Sequence, residues 1–100
     1  MAPSLSRGTA LVYILRLRSG ALYFGCSDDA ETRFIEHAKG TACRTTAIDP
    51  PRSLLWVEAQ PDFSTARRRE AQIKKWSRAK KEALITHDIS RLKALSRSRD

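Results

Sequence analysis

Two runs of apolar residues open the chain, and a short polar turn separates them. Residues 9–17 (TALVYILRL) and 21–27 (ALYFGCS) are rich in branched and aromatic side chains, which predicts two β-strands. The sequence RSG lies between them, and a three-residue turn with Gly20 in the left-handed conformation closes a hairpin. This turn places Tyr13 opposite Gly25. Side chains alternate along a strand, so Tyr13 and Tyr23 then project from the same face.

A helix is predicted over residues 27–40. Asp28 and Glu31 have the spacing of a capping box, and Gly40 supplies the C-terminal stop. The helical spacing predicts a buried stripe of Ala30, Phe34, Ile35 and Ala38.

The remainder of the chain is predicted to hold a loop, a strand and three helices. The loop covers residues 41–52 and the strand covers 53–60. The first helix is capped by Ser64, the second starts at Ser77, and a weaker one starts near residue 88. The order β-β-α-β-α-α, followed by the weaker helix, predicts an α+β domain in which a three-stranded antiparallel sheet is flanked by helices.

Charge is distributed unevenly along the chain. Residues 1–63 hold seven Lys/Arg and seven Asp/Glu, whereas residues 64–100 hold twelve Lys/Arg and four Asp/Glu, which is the entire net charge of +8. This asymmetry favours an anionic partner, most simply a nucleic-acid backbone. We expect one domain over 9–86, a flexible N-terminus over 1–8 and a basic C-terminal helix or tail over 87–100.

The cysteines and the hydropathy pattern indicate a cytoplasmic protein. Cys26 and Cys43 are seventeen residues apart and form no CxxC pattern, so we expect reduced thiols. No apolar run approaches ~20 residues, which predicts no membrane span. The first ten residues lack the apolar stretch of a secretion signal.

One acidic residue lies inside the basic stretch RRREAQIKKWSRAKKEAL. On a helix over 65–76, Ala66, Glu70 and Ile73 fall at i, i+4 and i+7, and therefore form one inward-facing stripe. A carboxylate that faces the body of a domain needs a paired cation. A salt bridge to a neighbouring arginine and coordination of a hard cation both meet this need at Glu70.

Several of these residues together resemble a known family. The segment LVYILRLRSGALYFGCSDDAETRFIEH resembles the opening of a GIY-YIG nuclease domain, as found in small stand-alone bacterial members. Leu11-Val12-Tyr13 stands in for G-I-Y, and Tyr23-Phe24-Gly25 stands in for Y-I-G. Arg33 and His37, four residues apart on one helix face, match the family's catalytic arginine and its following His or Tyr. RRREAQIKKWSRAKKEALI is similar to the third signature, with Glu70 at the metal-ligand position.

The resemblance implies a metal-dependent endonuclease that hydrolyses nucleic-acid phosphodiester bonds, most simply those of DNA. Tyr13 would help to deprotonate the attacking water, and Tyr23 would orient water or phosphate. Arg33 would stabilise the developing negative charge, and His37 would relay a proton or contact phosphate. Glu70 would bind Mg²⁺, for which Mn²⁺ can substitute. A phenol has a pKa near 10, so we expect nearby cations to lower the pKa of the base.

The basic helices are predicted to contact the nucleic-acid backbone in a salt-sensitive, sequence-tolerant way. The residues predicted to make these contacts are Lys74, Lys75, Arg78, Lys80 and Lys81. No base-reading module is apparent, so target selection would come from nucleic-acid structure or from a targeting partner protein.

The chain departs from the family pattern at two positions; the departure at Cys26, together with the absence of a targeting domain, keeps an alternative open. Leu11 replaces the first motif's glycine, and Cys26 stands where some members carry a lysine. The alternative is a nucleic-acid-binding module with the same fold and little or no catalysis. A protein that uses its basic helices against an acidic protein partner is a third hypothesis.

Overall fold

The computed structural model describes residues 10–97. Its strands are β1 (Ala10–Leu17), β2 (Leu22–Ser27) and β3 (Pro51–Gln60). Its helices are α1 (Ala30–Lys39), α2 (Arg44–Ile48), α3 (Phe63–Lys74), α4 (Arg78–Ile85) and α5 (Ile89–Arg97). The predicted flexible N-terminus, residues 1–8, lies outside the described residues.

The β1–β2 hairpin has the register that the turn predicts. Gly20 adopts a φ of 97°, a left-handed conformation that costs glycine no Cβ clash. Tyr13 pairs with Gly25, and Leu15 pairs with Tyr23. The two tyrosines therefore project from the same face of the sheet, as predicted.

The sheet has the order β2-β1-β3, with antiparallel pairing throughout, so β1 is the central strand. Both faces of β1 are covered. On one face a buried cluster combines Tyr13, Leu15 and Leu17 with the partly buried Tyr23, Phe34 and Leu54. On the other face Ile14 pairs with Phe24 and Trp56, which are all buried. The predicted α+β class, a three-stranded antiparallel sheet flanked by helices, is confirmed.

Helix α1 differs from the prediction in its cap and in its buried face. Asp29 is the N-cap instead of Asp28, because its backbone is extended and its carboxylate accepts the Thr32 N–H at 3.1 Å. Gly40 ends the helix in the left-handed conformation, as predicted. Ala38 and Ile35 are exposed, the latter to 50%, whereas a polar residue, His37, is fully buried.

Two further predictions for the middle of the chain are wrong. Residues 41–52 are not one loop, because they contain the single-turn helix α2 and the start of β3 at Pro51. Asp62, and not Ser64, caps α3: its carboxylate accepts the Thr65 N–H at 2.7 Å.

The chain divides into two compact units, the first ending at Glu70 and the second beginning at Ala71. The second unit contains α4 and α5, which contact each other. Ser77 caps α4 as predicted, since its hydroxyl accepts the Lys80 N–H. The domain boundary predicted at residues 86/87 stays a prediction. No helix within residues 10–97 has both the length and the apolar composition of a membrane-spanning segment.

Candidate active site

Tyr13 lies on the central strand and is only 2% exposed. Its hydroxyl forms a 2.9 Å hydrogen bond with Nε2 of His37 and also interacts with the Arg33 guanidinium. The glycine opposite Tyr13 makes room for the ring: a Cβ atom at Gly25 would lie 2.5 Å from Cζ of Tyr13. Gly25 is therefore required for the position of the phenol, because no side chain fits there without displacing it.

His37 connects the two tyrosines. It is fully buried, and its ring contacts both tyrosine rings edge-on, with centroid distances of 5.9 Å to Tyr13 and 5.0 Å to Tyr23. Its second ring nitrogen, Nδ1, forms a 2.7 Å hydrogen bond with the buried hydroxyl of Thr46 on α2. Both ring nitrogens are thus engaged inside the protein, which leaves neither of them directed at a phosphate.

Tyr23 extends this buried arrangement to the segment after α1. Its hydroxyl lies 3.4 Å from Sγ of Cys43, and the same sulfur lies 3.4 Å from the Thr46 hydroxyl. Cys43 precedes α2 as its N-terminal flanking residue. Neither Cys43 nor Thr46 belongs to a sequence motif, and only the fold brings them to the tyrosines.

Arg33 carries positive charge to the cluster from α1. Its guanidinium donates to Glu36 Oε1 at 3.0 Å, and its side chain is 37% exposed, so it also faces solvent. An arginine in this position can meet an incoming anion while it acts on the buried Tyr13 phenol.

Burial dominates the ionisation of the buried rings. Desolvation raises the pKa of Tyr13, and Arg33 only partly offsets this rise. Desolvation, followed by the hydrogen bond with Cys43, raises the pKa of Tyr23. The pKa of His37 is lowered by burial and then by Arg33. The expectation that neighbouring cations lower the pKa of the tyrosine base is therefore wrong for the protein without substrate.

A cavity of about 310 Å³ opens beside Arg33. Its wall is formed by the end of β2, the outward face of α1 and the first residue of α3; the lining residues are Cys26, Ser27, Asp28, Asp29, Thr32, Arg33, Glu36 and Phe63. Two of them connect it to the predicted site residues. Arg33 interacts with Tyr13, and Cys26 contacts Glu70.

Glu70 lies on α3 and is half-buried, as its place in the stripe of Ala66 and Ile73 predicts. The Cys26 thiol donates a hydrogen bond to Glu70 Oε1 at 3.0 Å. Cys26 follows Gly25 near the end of β2 and lines the same cavity as Arg33. The structure therefore brings four of the predicted catalytic residues into direct contact and joins Glu70 to the edge of the cavity through Cys26.

Glu70 is the predicted metal ligand, and it would be the single protein carboxylate of a divalent ion. Within residues 10–97 there is no group of three His, Cys, Asp or Glu side chains that could enclose a metal. Mg²⁺ is well suited to such a site, since it commonly keeps several waters and completes its shell with phosphate oxygens.

The predicted backbone-contacting residues all belong to the second unit. Lys74 and Lys75 are exposed, and Arg78 pairs with Glu82 at 2.8 Å. Lys80 is only 7% exposed, and its ammonium lies 4.2 Å from the centroid of the Trp76 ring. Lys81 is half-buried. Packing against Trp76 thus accounts for Lys80 without a nucleic-acid contact.

Comparison with known proteins shows the family to which the chain belongs. Residues 9–83 match the family model for the GIY-YIG catalytic domain. A UPF0213 protein of Pseudomonas aeruginosa is 43% identical over 74 residues, which are 74% of this chain and 71% of that protein. A UPF0213 protein of Staphylococcus saprophyticus is 39% identical over 75 residues, 75% of this chain and 92% of that protein.

A solved structure supports the same assignment. The solution NMR structure of a UPF0213 protein from Bacillus halodurans superimposes with a TM-score of 0.50 at 35% sequence identity, and covers 78% of this chain and 83% of that one. The match of the catalytic domain spans the hairpin, α1 and α3, which supply Tyr13, Tyr23, Arg33, His37 and Glu70. The chain belongs to the GIY-YIG family of nuclease domains.

Proposed function

We propose that this protein is a metal-dependent endonuclease that hydrolyses phosphodiester bonds of nucleic acid, most simply DNA. The observation that carries the proposal is the contact of Tyr13 with both Arg33 and His37. A phenol held between a charged guanidinium and a neutral imidazole has a group that stabilises its anion and a group that accepts its proton.

The residues of the chain divide the reaction between them. Tyr13 accepts the proton of the attacking water while its own hydroxyl proton moves toward Nε2 of His37, which lies 2.9 Å away. Arg33 binds the scissile phosphate and stabilises the charge that develops on it. Tyr23, edge-on to His37, accepts a hydrogen bond from the attacking water and so orients it.

Glu70 would hold the divalent ion, Mg²⁺ or Mn²⁺. When bound, such an ion would polarise the scissile phosphate and neutralise charge on the leaving oxygen. Cys26 fixes the direction of the Glu70 carboxylate by its 3.0 Å hydrogen bond. The basic residues of the second unit hold the backbone of the nucleic acid, Lys74 and Lys75 by exposed charge.

One observation favours the alternative, a binding module that turns over poorly. The Cys26 thiol already engages Glu70 Oε1, and a metal ion would compete with it for that oxygen. In that case the basic surface binds nucleic acid, and the buried cluster serves to stabilise the fold.

The experiment compares the wild type, Glu70→Gln and a matched control, Glu31→Gln, which alters an exposed carboxylate of α1. Each protein is incubated with labelled branched, nicked, single-stranded and duplex DNA and with RNA, in Mg²⁺, in Mn²⁺ and in chelator. Binding to the same substrates is measured by fluorescence anisotropy.

We expect the wild type and Glu31→Gln to cleave only with the divalent ion, and Glu70→Gln to bind equally well without cleaving. Cleavage in chelator, or undiminished cleavage by Glu70→Gln, contradicts the assigned role of Glu70. Binding without cleavage of any substrate by the wild type identifies the binding module instead.

A further inference from the structure

A chain of hydrogen bonds joins the two tyrosines through three other side chains. It passes from Tyr13 to His37 at 2.9 Å, from His37 to Thr46 at 2.7 Å and from Thr46 to Cys43 at 3.4 Å. It ends at the 3.4 Å contact between Cys43 and the Tyr23 hydroxyl. Thr46 and Cys43 have no part in the reaction proposed above, although they complete this path.

The donors and acceptors of the chain match when every proton points toward Cys43. A hydroxyl group has one proton to donate, and a neutral imidazole has one N–H. If Tyr13 donates to Nε2 of His37, the ring proton lies on Nδ1 and is donated to Thr46. Thr46 can then donate to the sulfur, and Tyr23 donates to the same atom. A thiolate, which has no proton of its own, fits this terminal position.

The surroundings of Cys43 stabilise its thiolate. Burial raises the pKa of the thiol, but hydrogen bonds from the Thr46 and Tyr23 side chains and from the backbone of residues 45 and 46 outweigh it and lower the pKa from 9.0 to about 7. The imidazole and both phenols are held neutral near that pH by burial. The titratable and charged groups that act on the chain from the packed elements are Tyr13, Tyr23, Cys26, Arg33, Glu36 and His37.

We propose that Cys43 and Thr46 are positioning residues of the active site, which act through His37 to direct the Tyr13 proton inward and to accept it at the Cys43 sulfur. This inference rests on the proposed function. It explains how a buried phenol can act as a base at neutral pH without first losing its proton to solvent.

The proton transfer balances without any other reactant. The O–H bond of the attacking water breaks as a new O–H bond forms on Tyr13, whose former proton passes to Nε2 of His37. The Nδ1 proton moves to Thr46, and the Thr46 proton moves to the Cys43 thiolate, where an S–H bond forms. One hydroxide and one thiol replace one water and one thiolate, and no group is oxidised or reduced. When Cys43 is already protonated before the reaction, no group is left to accept the proton at the end of this path.

The first test uses the full chain without metal and does not depend on cleavage. The ring ¹⁵N shifts of His37 are followed by NMR from pH 5 to 9, and the ionisation of Cys43 is followed by its rate of alkylation by iodoacetamide in a Cys26→Ala background. We expect the ring proton of His37 on Nδ1. The ¹⁵N shifts of His37 should change with pH at the same midpoint as the ionisation of Cys43. In Thr46→Val the His37 shifts should no longer change at the midpoint of the Cys43 ionisation. In Thr46→Ser the two midpoints should agree as in the wild type. A ring proton on Nε2 of His37, or His37 shifts that do not change as Cys43 ionises, would overturn the inference.

The second test compares the pH dependence of cleavage in the same variants. In the wild type the rate should fall below about pH 7, as Cys43 is protonated. Cys43→Ser retains a hydrogen-bonding group but no thiolate, and should lose this acid limb together with about tenfold or more in rate at pH 7.5. Thr46→Ser should recover the rate that Thr46→Val loses, which a loss of packing alone does not predict. An acid limb unchanged in Cys43→Ser contradicts the inference.

The two proposals can fail separately. Absence of cleavage by the wild type counts against the nuclease function. The tautomer of His37 and its coupling to Cys43 are measured on the protein alone, and they support or contradict the inferred proton path whatever the cleavage assay shows.

Discussion

Two regions of the chain use polar side chains in opposite ways: the hairpin with α1 and α2, and the basic segment 71–95. In the former, a hydroxyl, an imidazole and a phenol lie inside, with Thr46 and His37 fully buried and Tyr13 nearly so. Among the described residues, every buried side-chain nitrogen or oxygen has a hydrogen-bond partner. In the latter, cations dominate, and most of them face solvent.

This contrast separates two kinds of contribution to function. Buried hydrogen bonds depend on geometry at short range, so changes to them should alter the rate of a reaction. Exposed cations act at longer range and are screened by salt, so changes to them should alter affinity for a polyanion. The variants below test this division, in order of decreasing expected effect.

The largest effect is expected from Arg33→Ala. Removing the cation that acts on Tyr13 and faces the cavity should lower the cleavage rate by ~10²–10³-fold, because the developing phosphate charge loses its donor. Lys39→Ala, on the exposed end of the same helix, is the control. Single-turnover rates with saturating protein provide the measurement. Equal losses of cleavage rate in Arg33→Ala and Lys39→Ala would show that the positive charge of the helix matters and the position of Arg33 does not.

Gly25→Ala should destabilise the hairpin by overpacking. The new Cβ would overlap the Tyr13 ring, which is held on the central strand, so we expect a loss of ~1–3 kcal/mol in the free energy of unfolding. Urea denaturation measures it. Ala21→Ser, at an exposed position of the same hairpin, is the control. A Gly25→Ala protein as stable as the wild type would mean that the phenol moves freely.

Smaller changes are expected from the exposed lysines. Lys74→Ala and Lys75→Ala should each reduce the slope of log affinity against log salt by about one unit if each contacts a phosphate, and should leave single-turnover cleavage at saturation unchanged. Fluorescence anisotropy at several salt concentrations tests this. Arg52→Ala removes an exposed cation of β3 and serves as the control. An unaltered slope in both lysine variants would remove these side chains from the interface.

The smallest effect is expected from the protonation of His37. Its pKa is lowered in the folded protein, mainly by burial, so below pH 6.5 the unfolded chain binds more protons than the folded one. Stability should therefore be fully present above pH 6.5 and fall as the pH drops below it. Urea unfolding between pH 5 and 8 should show this slope in the wild type and in His87→Asn, and a flatter one in His37→Gln. The same slope in all three would contradict the burial of a neutral imidazole.

The sequence predicted the hairpin well because local chemistry determines it. The turn length and the left-handed Gly20 set the register, and the register alone places Tyr13 opposite Gly25 and on the same face as Tyr23. The Ser77 cap was predictable for the same reason, since the capping hydrogen bond spans only three residues.

The inner face of α1 was not predictable from apolar spacing. That spacing predicted that Ile35 and Ala38 face inward. The protein buries His37 instead, because the two ring nitrogens of His37 form hydrogen bonds with Tyr13 on β1 and Thr46 on α2. Helix α2 itself is a single turn within a polar segment, too short for a periodic signal. Thr46 and Cys43 were missed with it, because their importance depends on contacts with distant residues.

The position of β1 in the middle of the sheet has a consequence for the motions of the site. Tyr13 is carried by a strand that is paired along both edges. Amide protons of such a strand exchange with solvent only when the sheet opens as a whole, whereas edge strands and terminal helices open locally. Tyr13 therefore has no local unfolding mode of its own. The slowest-exchanging amides of the protein should be those that flank the tyrosine, and any adaptation to substrate must come from the parts around it.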